Sequence, residues 1–250
     1  AIVGGSNLGS RYLGADQWRD TNAYLAGPVV AALQQEFLRD WANLGDPAEP
    51  NPCHFPPLAT AGNVAIRAID QRPADGAFNI NHAVLIAVRL ARHRIDIETP
   101  GFHPPDWLAR ELRAAAGRGV RVRVLTNSET STNFPAAYWS GAYHFDELVR
   151  GGIEIHLWDR GRRTIHSKVL VVDDRLAMIG SYNFSNRSSL WDAENGIVTT
   201  DPPTVASVRR MVDADFGREF VVRVDEAWLH AQTADVRSRW RLGHAFGWLF

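Results

Sequence analysis

Cysteine occurs once in the 250 residues, at Cys53, and methionine only twice. A single thiol excludes an internal disulfide framework and leaves the redox compartment undecided. Net charge is also nearly lacking: 27 Lys and Arg stand against 28 Asp and Glu, for a formal −1 at pH 7. Such a balance gives no general attraction to polyanions and weighs against a nucleic-acid groove, local basic runs such as Arg160 to Arg163 being the exception. No apolar run approaches the roughly 20 residues needed to cross a bilayer, so any membrane contact is expected to be peripheral. What remains is ordinary for a folded globular chain, with 45% apolar and 22% charged residues, and disorder is excluded on composition.

The chemistry gathers in one stretch, Thr164 to Asn195, TIHSKVLVVDDRLAMIGSYNFSNRSSLWDAEN. Residues alternate from Ile165 to Val172, so His166 and Lys168 project from the same face of an extended segment. A phosphate would meet both: an imidazole attacks phosphorus or passes a proton near neutral pH, and an ammonium holds the non-bridging oxygens. Gly180 allows a close backbone approach, and Ser181 and Asn183 alternate onto one face as hydrogen-bond donors. Together these residues form a phosphoryl-binding set. Asp173 has a second reading, because VDDRLA also spells a hairpin turn between two buried strands. Both readings stand together, with Asp173 as a structural and electrostatic support.

His166, Lys168 and Asp173 in H-x-K-x-x-x-x-D order, followed by Gly180, Ser181 and Asn183, resemble the signature of the phospholipase D superfamily. The wording VGGSNLG, ETPGF, RGVRVRVLTNS and IGSYNFSNRS resembles its bacterial cardiolipin-synthase-like branch across most of the chain. That resemblance implies two-step phosphodiester chemistry through a phosphohistidine, with neither a metal nor an organic cofactor. It casts His166, Lys168, Asp173 and Glu194 as catalytic and Ser181, Asn183 and Asn7 as holders of the phosphate. Glu194 and, on a gapped register, Asp20 are cast as acidic orienters of an imidazole. His166 takes the part of general acid and then base, the nucleophile being the amino-terminal histidine of two-motif members. Phosphatidyl transfer to a lipid alcohol is the activity implied, with a phospholipid substrate. Two alternatives stay open: a nuclease on the same scaffold, and an inactive structural or binding half.

An internal repeat links the chain's two ends. AIVGGSNLGSR at Ala1 to Arg11 lies over AMIGSYNFSNR at Ala177 to Arg187 without a gap, and WRDTN at Trp18 to Asn22 resembles WDAEN at Trp191 to Asn195. By that register a first H-x-K-x-x-x-x-D is expected about ten residues before Ala1. The expectation is therefore a fragment, a processed product or one part of a split protein, completed by an amino-terminal piece or second polypeptide carrying that first motif. A symmetric pair of copies of this chain is a further way to obtain two histidines.

The order of elements predicts an α/β fold with a mixed, largely parallel sheet and helices on both faces. Residues 1–41 read as the tail of a first lobe, ending in a helix from about Pro28 to Trp41 whose Val30, Leu33, Phe37 and Trp41 form a core stripe. Residues 42–60, rich in Pro and Asn, read as a linker, and residues 61–250 as a second lobe. In that lobe strands at Asn63 to Ile69, Arg94 to Thr99, Val120 to Leu125 and Ile153 to Trp158 alternate with helices at Ile80 to Ala91, Pro104 to Gly119 and Tyr138 to Gly151.

Other residues invite a role and have plainer explanations. Cys53 and His54 are adjacent with no partners at ligand spacing, which makes a poor zinc site. ETPGF at Glu98 to Phe102 ends a strand where open α/β sheets build their sites. His103 reads equally as a surface residue, and Asn127, Ser128 and Thr130 equally as a self-capping polar loop. His144, His156, His230 and His244 are scattered and receive no role. The closing RWRLGHAFGWLF interleaves aromatic and cationic residues, a composition that suits a lipid interface and, more often, packing on the protein itself.

Overall fold

The structure, a computed structural model, describes residues 1–14, 17–45 and 51–249. Part of the expected linker, 46–50, lies outside the described residues. The chain opens with a hairpin-like pair, β1 (Ile2–Gly4) and β2 (Asn22–Tyr24), followed by helix α1 (Val29–Asn43). Then come β3 (Ile66–Gln71), α2 (Asn79–Leu90), β4 (Arg94–Glu98), α3 (Asp106–Gly117), β5 (Arg121–Asn127), α4 (Pro135–Ala142), α5 (Phe145–Arg150) and β6 (Ile153–Trp158). The signature region supplies β7 (Val169–Val172), β8 (Leu176–Gly180), α6 (Asn186–Leu190) and β9 (Glu194–Thr199). The chain closes with α7 (Pro202–Phe216), β10 (Val221–Val224), α8 (Glu226–His230) and α9 (Ala234–Ala245).

Eight strands form one sheet in the order β10-β6-β5-β4-β7-β8-β9-β3. The expected α/β fold with a mixed sheet is present, but the parallel share is smaller than the sequence suggested. Only β4–β5 and β5–β6 run parallel, and the other five pairings are antiparallel. The reason is connection length. Helices α3 and α4–α5 are long enough to return the chain to the same end of the sheet, whereas the tight turn at Asp173 and Asp174 reverses it. β7 lies at the centre, with Val169 and Val171 in one apolar cluster and Leu170 and Val172 in the other. That alternation of four buried residues places a packed layer on each face. One layer carries α2 to α5 and α9, and the opposite one carries α7 and the β1–β2 pair through Val3 and Leu25.

Two expected elements differ. The helix break at Tyr143 and His144 splits the single helix expected from Tyr138 to Gly151 into α4 and α5. Helix α1 has no buried residue, and Phe37 and Trp41 of its expected core stripe are 56% and 44% exposed. Only its first turns, at Val29 and Leu33, pack against the cluster around Val205. Helical spacing establishes a stripe, and the tertiary fold decides how much of it meets a partner.

Candidate active site

Strands β4 and β5 run parallel and end together, and β7 begins at that same end of the sheet because it is antiparallel to β4. His166 and Lys168 lie just before β7, in an extended lead-in outside the main sheet. That lead-in has its own supports. The Asn127 side chain, at the end of β5, donates to the Ile165 carbonyl at 2.8 Å and accepts from the Ile165 N–H at 2.9 Å. On the other side, Arg19 N–H donates to the Thr164 carbonyl at 3.0 Å and His166 N–H to the Arg19 carbonyl at 2.7 Å. His166 is thus clamped between a residue of the second half and a residue of the first.

The imidazole is oriented as strongly as its backbone. Asp20 Oδ2 lies 3.0 Å from His166 Nδ1, with the Asp20 side chain 5% exposed. A carboxylate there selects the tautomer with hydrogen on Nδ1 and turns the Nε2 lone pair outward. Rings of Tyr12 and Trp18 lie 5.3 and 5.5 Å from the imidazole, centroid to centroid, and the Tyr12 hydroxyl lies 3.5 Å from Nε2. Lys168 Nζ lies 3.0 and 3.1 Å from the two ring nitrogens and donates to the His166 carbonyl at 2.6 Å. Burial pushes its pKa down to about 8, against the upward pull of Asp20 and Glu194.

These groups open on a cleft of about 350 Å³ lined by Asn7, His166, Lys168, Ser181, Asn183 and Glu194. Asn7 Nδ2 donates to the Tyr12 hydroxyl at 3.2 Å. Asn183 is fixed through its backbone, its carbonyl accepting from Thr99 Oγ1 at 2.5 Å and its N–H donating to Ser188 Oγ at 3.1 Å. Its side-chain Oδ1 is buried without a hydrogen-bond partner, while the residue lines the cleft. Ser181 is differently employed: its hydroxyl donates to Glu194, as does that of Ser188. The Ser181 proton expected for phosphate is therefore held by the Glu194 carboxylate. Burial pushes the Glu194 pKa up, and the two serines pull it back.

The β1–β2 and β8–β9 pairs share a register. At Gly4 an added Cβ would lie 2.4 Å from the Thr21 carbonyl oxygen and 2.7 Å from Asn22 Cα; at Gly180 it would lie 2.3 Å from the Asn195 carbonyl oxygen and 2.7 Å from Gly196 Cα. Pairing of Gly4 with Asn22 and of Gly180 with Gly196 sets the same register. Counting from it, Asn7 takes the place of Asn183 and Asp20 takes the place of Glu194. This count uses the gapped register that casts Asp20 as an orienter, the gap arising because the connection between the strands differs in length.

Asp173 is the exception among the expected site residues. It sits in the β7–β8 turn, at the opposite end of β7, with φ of 50°. Its carboxylate accepts the backbone N–H groups of Arg92, His93 and Arg94 at 3.1, 2.8 and 2.9 Å. Burial raises its pKa, and those three donors together pull it below its ordinary value. A catalytic place for Asp173 is corrected accordingly: it anchors the turn to the start of β4. Ser128 and Thr130, in the polar loop after β5, donate to Asp159. Pro100 and Gly101 do border a pocket that reaches His166 and Asn183. No spacing in the sequence ties Tyr12, Trp18 or Ser188 to His166 or Glu194, and Asn127, read there as part of a polar loop, instead holds the Ile165 backbone.

A buried ionic layer lies behind the lead-in. The Arg19 guanidinium pairs with Asp215 at 2.5 Å and donates to Thr21 Oγ1 at 3.0 Å, and that hydroxyl lies 2.8 Å from Ser167 Oγ. Glu98 is fully buried in this layer, and burial followed by the charge of Asp215 pushes its pKa up.

A family model described as cardiolipin synthase, PLD-like domain, matches residues 84–216. The chain belongs to this phospholipase D-like family. Cardiolipin synthase A of Pseudomonas entomophila (strain L48) is 32% identical to it over 230 residues, which take in 90% of this chain and 47% of that protein. Cardiolipin synthase A of Pseudomonas putida (strain GB-1) is 33% identical over 219 residues, or 86% of this chain and 44% of that one. The chain spans about half the length of the curated relatives it matches. Among solved structures, phosphatidylserine synthase of Haemophilus influenzae Rd KW20 aligns with a TM-score of 0.61 at 20% identity, covering 74% of this chain and 48% of that one. Nuc of Salmonella typhimurium, a phospholipase D family member, aligns at 0.52 and 19%, covering 66% of this chain and all of that one. At those identities the likeness establishes the phospholipase D-like fold alone.

Proposed function

We propose that this chain carries one half of a two-histidine active site that transfers a phosphatidyl group from a phospholipid to a lipid alcohol, as in a cardiolipin synthase. The observation that carries the reading is the Asp20–His166–Lys168 arrangement at an open cleft flanked by Asn7 and Asn183. In this reading residues 1–41 close a first lobe, 42–60 connect, and 61–250 form the second lobe. Glu194 supports the need for another histidine. It is a carboxylate in the place equivalent to Asp20, it is fixed by two serines, and the described lining of its cleft holds no imidazole but that of His166. The second His and Lys come from a further stretch of polypeptide or from another chain.

The chemistry follows from the geometry. The nitrogen of the second histidine attacks phosphorus, forming an N–P bond while the bond from phosphorus to the departing alcohol breaks. His166 enters this step as the imidazolium, keeps Nδ1–H on Asp20, gives the proton on Nε2 to that alcohol oxygen and is left neutral with an Nε2 lone pair. An acceptor alcohol then yields its proton to Nε2 and attacks phosphorus, the N–P bond breaks, and a new phosphodiester forms. Water in place of the acceptor gives hydrolysis. Lys168 and the amides of Asn7 and Asn183 hold the phosphate oxygens as charge builds on them. No resident metal or organic cofactor is assigned to these steps. Exposed Leu242, Phe246 and Trp248 at the carboxyl end support peripheral contact with the lipid surface, while Trp240 of the same segment packs inward on Trp228.

The test is the full-length protein in vesicles holding a labelled phosphatidyl donor and a glycerol-headgroup acceptor. Expected is a new diphosphatidyl lipid that is absent with His166→Ala. Cleavage of DNA, with binding that weakens steeply with salt and no lipid product, would overturn it in favour of a nuclease. Binding without turnover of either substrate would mark an inactive half.

A further inference from the structure

The three histidines His103, His144 and His244 share no sequence pattern, yet no pair of their ligand atoms is more than 4.8 Å apart. We infer that they form a binding site for a divalent transition-metal ion of the zinc class, in a cavity other than the His166 cleft, with His103 also bordering the pocket that reaches His166. Each comes from a different element: His103 from the loop after β4, His144 from the break between α4 and α5, and His244 from the last turn of α9. The site faces a cavity of about 390 Å³ that Asp106 and Glu147 also line, which leaves room for water at a fourth position.

Three imidazoles with one open position suit zinc, and also copper or nickel, through neutral nitrogen donors. Nitrogens at about 2.0–2.1 Å from a tetrahedral ion stand roughly 3.3 Å apart, so the spread must contract. Exposed His244 at the end of its helix has the freedom to do so. Two further features fit a ligand set. A side chain at position 247 would place its Cβ 2.8 Å from His103 Cε1 and 3.1 Å from Nε2, so Gly247 keeps that edge of the ring clear. Asn186 Nδ2 lies 3.5 Å from His103 Nδ1. Half a turn of that amide would bring its oxygen to the ring to accept an Nδ1 proton, the tautomer that presents Nε2 to an ion. Ring packing accounts for Tyr143 stacked on His244 at 4.0 Å, but it does not require donor atoms of three separate segments to converge.

The ion would fasten α9 to the loop that also carries Pro100 and Gly101 beside the catalytic pocket, a structural clamp on the pocket's wall. The experiment is Co²⁺ and then Zn²⁺ titration of tag-free, chelator-stripped full-length protein. Expected are one Co²⁺ per chain with the intense visible bands of a tetrahedral site, displacement by Zn²⁺, and a higher melting temperature with Zn²⁺. His244→Ala and His144→Ala should each weaken binding at least about tenfold, and His166→Ala should leave it unchanged. His244 is exposed, so its variant is expected to melt as the parent does in chelator. Absence of saturable binding at micromolar metal, or binding that survives His244→Ala and is lost with His166→Ala, would overturn the inference.

Discussion

Asp20 and His166 stand 146 residues apart in sequence, yet a carboxylate oxygen of one lies 3.0 Å from Nδ1 of the other. The contact joins the short β1–β2 unit to the lead-in of β7, and the Arg19 backbone bridge beside it fixes their separation.

Asp20→Asn is expected to lower turnover by roughly 10²–10⁴-fold, because an amide no longer selects the Nδ1–H tautomer or balances an imidazolium. KM should change little, and so should the melting temperature, since asparagine still accepts from the Thr21 N–H. A fall in melting temperature that matches the loss of activity would show that Asp20 acts on folding instead.

Lys168 sets an alkaline limit. Its pKa in the folded chain is about 8 against an ordinary 10.5, so between those values the unfolded chain binds more protons and this group's contribution to stability rises with pH. The gap corresponds to roughly 3 kcal/mol, which is the penalty for burying the charge below pH 8. Lys168→Met should therefore lose activity yet flatten that slope. Denaturant unfolding of both proteins at pH 7, 8 and 9 measures it, and parallel slopes would refute it. Activity of the parent should decline above about pH 8 as the ammonium deprotonates.

Asp173→Ala removes the acceptor of three backbone N–H groups and should cost about 2 kcal/mol, with kcat unchanged per folded molecule at a permissive temperature. Because the folded carboxyl is held below its ordinary pKa, the stability it contributes is present above that ordinary value and disappears as pH falls through the lowered one. Asp173→Asn should be milder, since asparagine tolerates the positive φ. A catalytic defect at full folding would return Asp173 to the active site.

Glu194→Gln tests the second carboxylate. Burial raises the Glu194 pKa, so its ionised form opposes folding at neutral pH, and the neutral amide should be at least as stable. Turnover of the full-length enzyme should nevertheless drop by roughly 10²-fold or more, if Glu194 orients the second histidine as Asp20 orients His166. Unchanged turnover with unchanged stability would remove Glu194 from the catalytic set.

By itself the sequence determined the family, the mixed α/β order, and the cluster of His166, Lys168, Asn183 and Glu194. Those facts are local: alternation along one strand and the spacing within one motif survive in a linear reading. Even the kinship of the two hairpins was legible, because both keep a glycine where two backbones touch. Only the tertiary structure decided that Asp173 serves a turn at the far end of β7, and it supplied the strand register that sets Asp20, already cast as an orienter, opposite Glu194 in the count. It also assigned Tyr12 and Trp18 to the imidazole and gathered His103, His144 and His244 from three elements. Long-range contacts of this kind depend on strand register and helix packing across the whole sheet, and a one-residue difference in a connecting segment is enough to redirect a side chain without altering any local pattern.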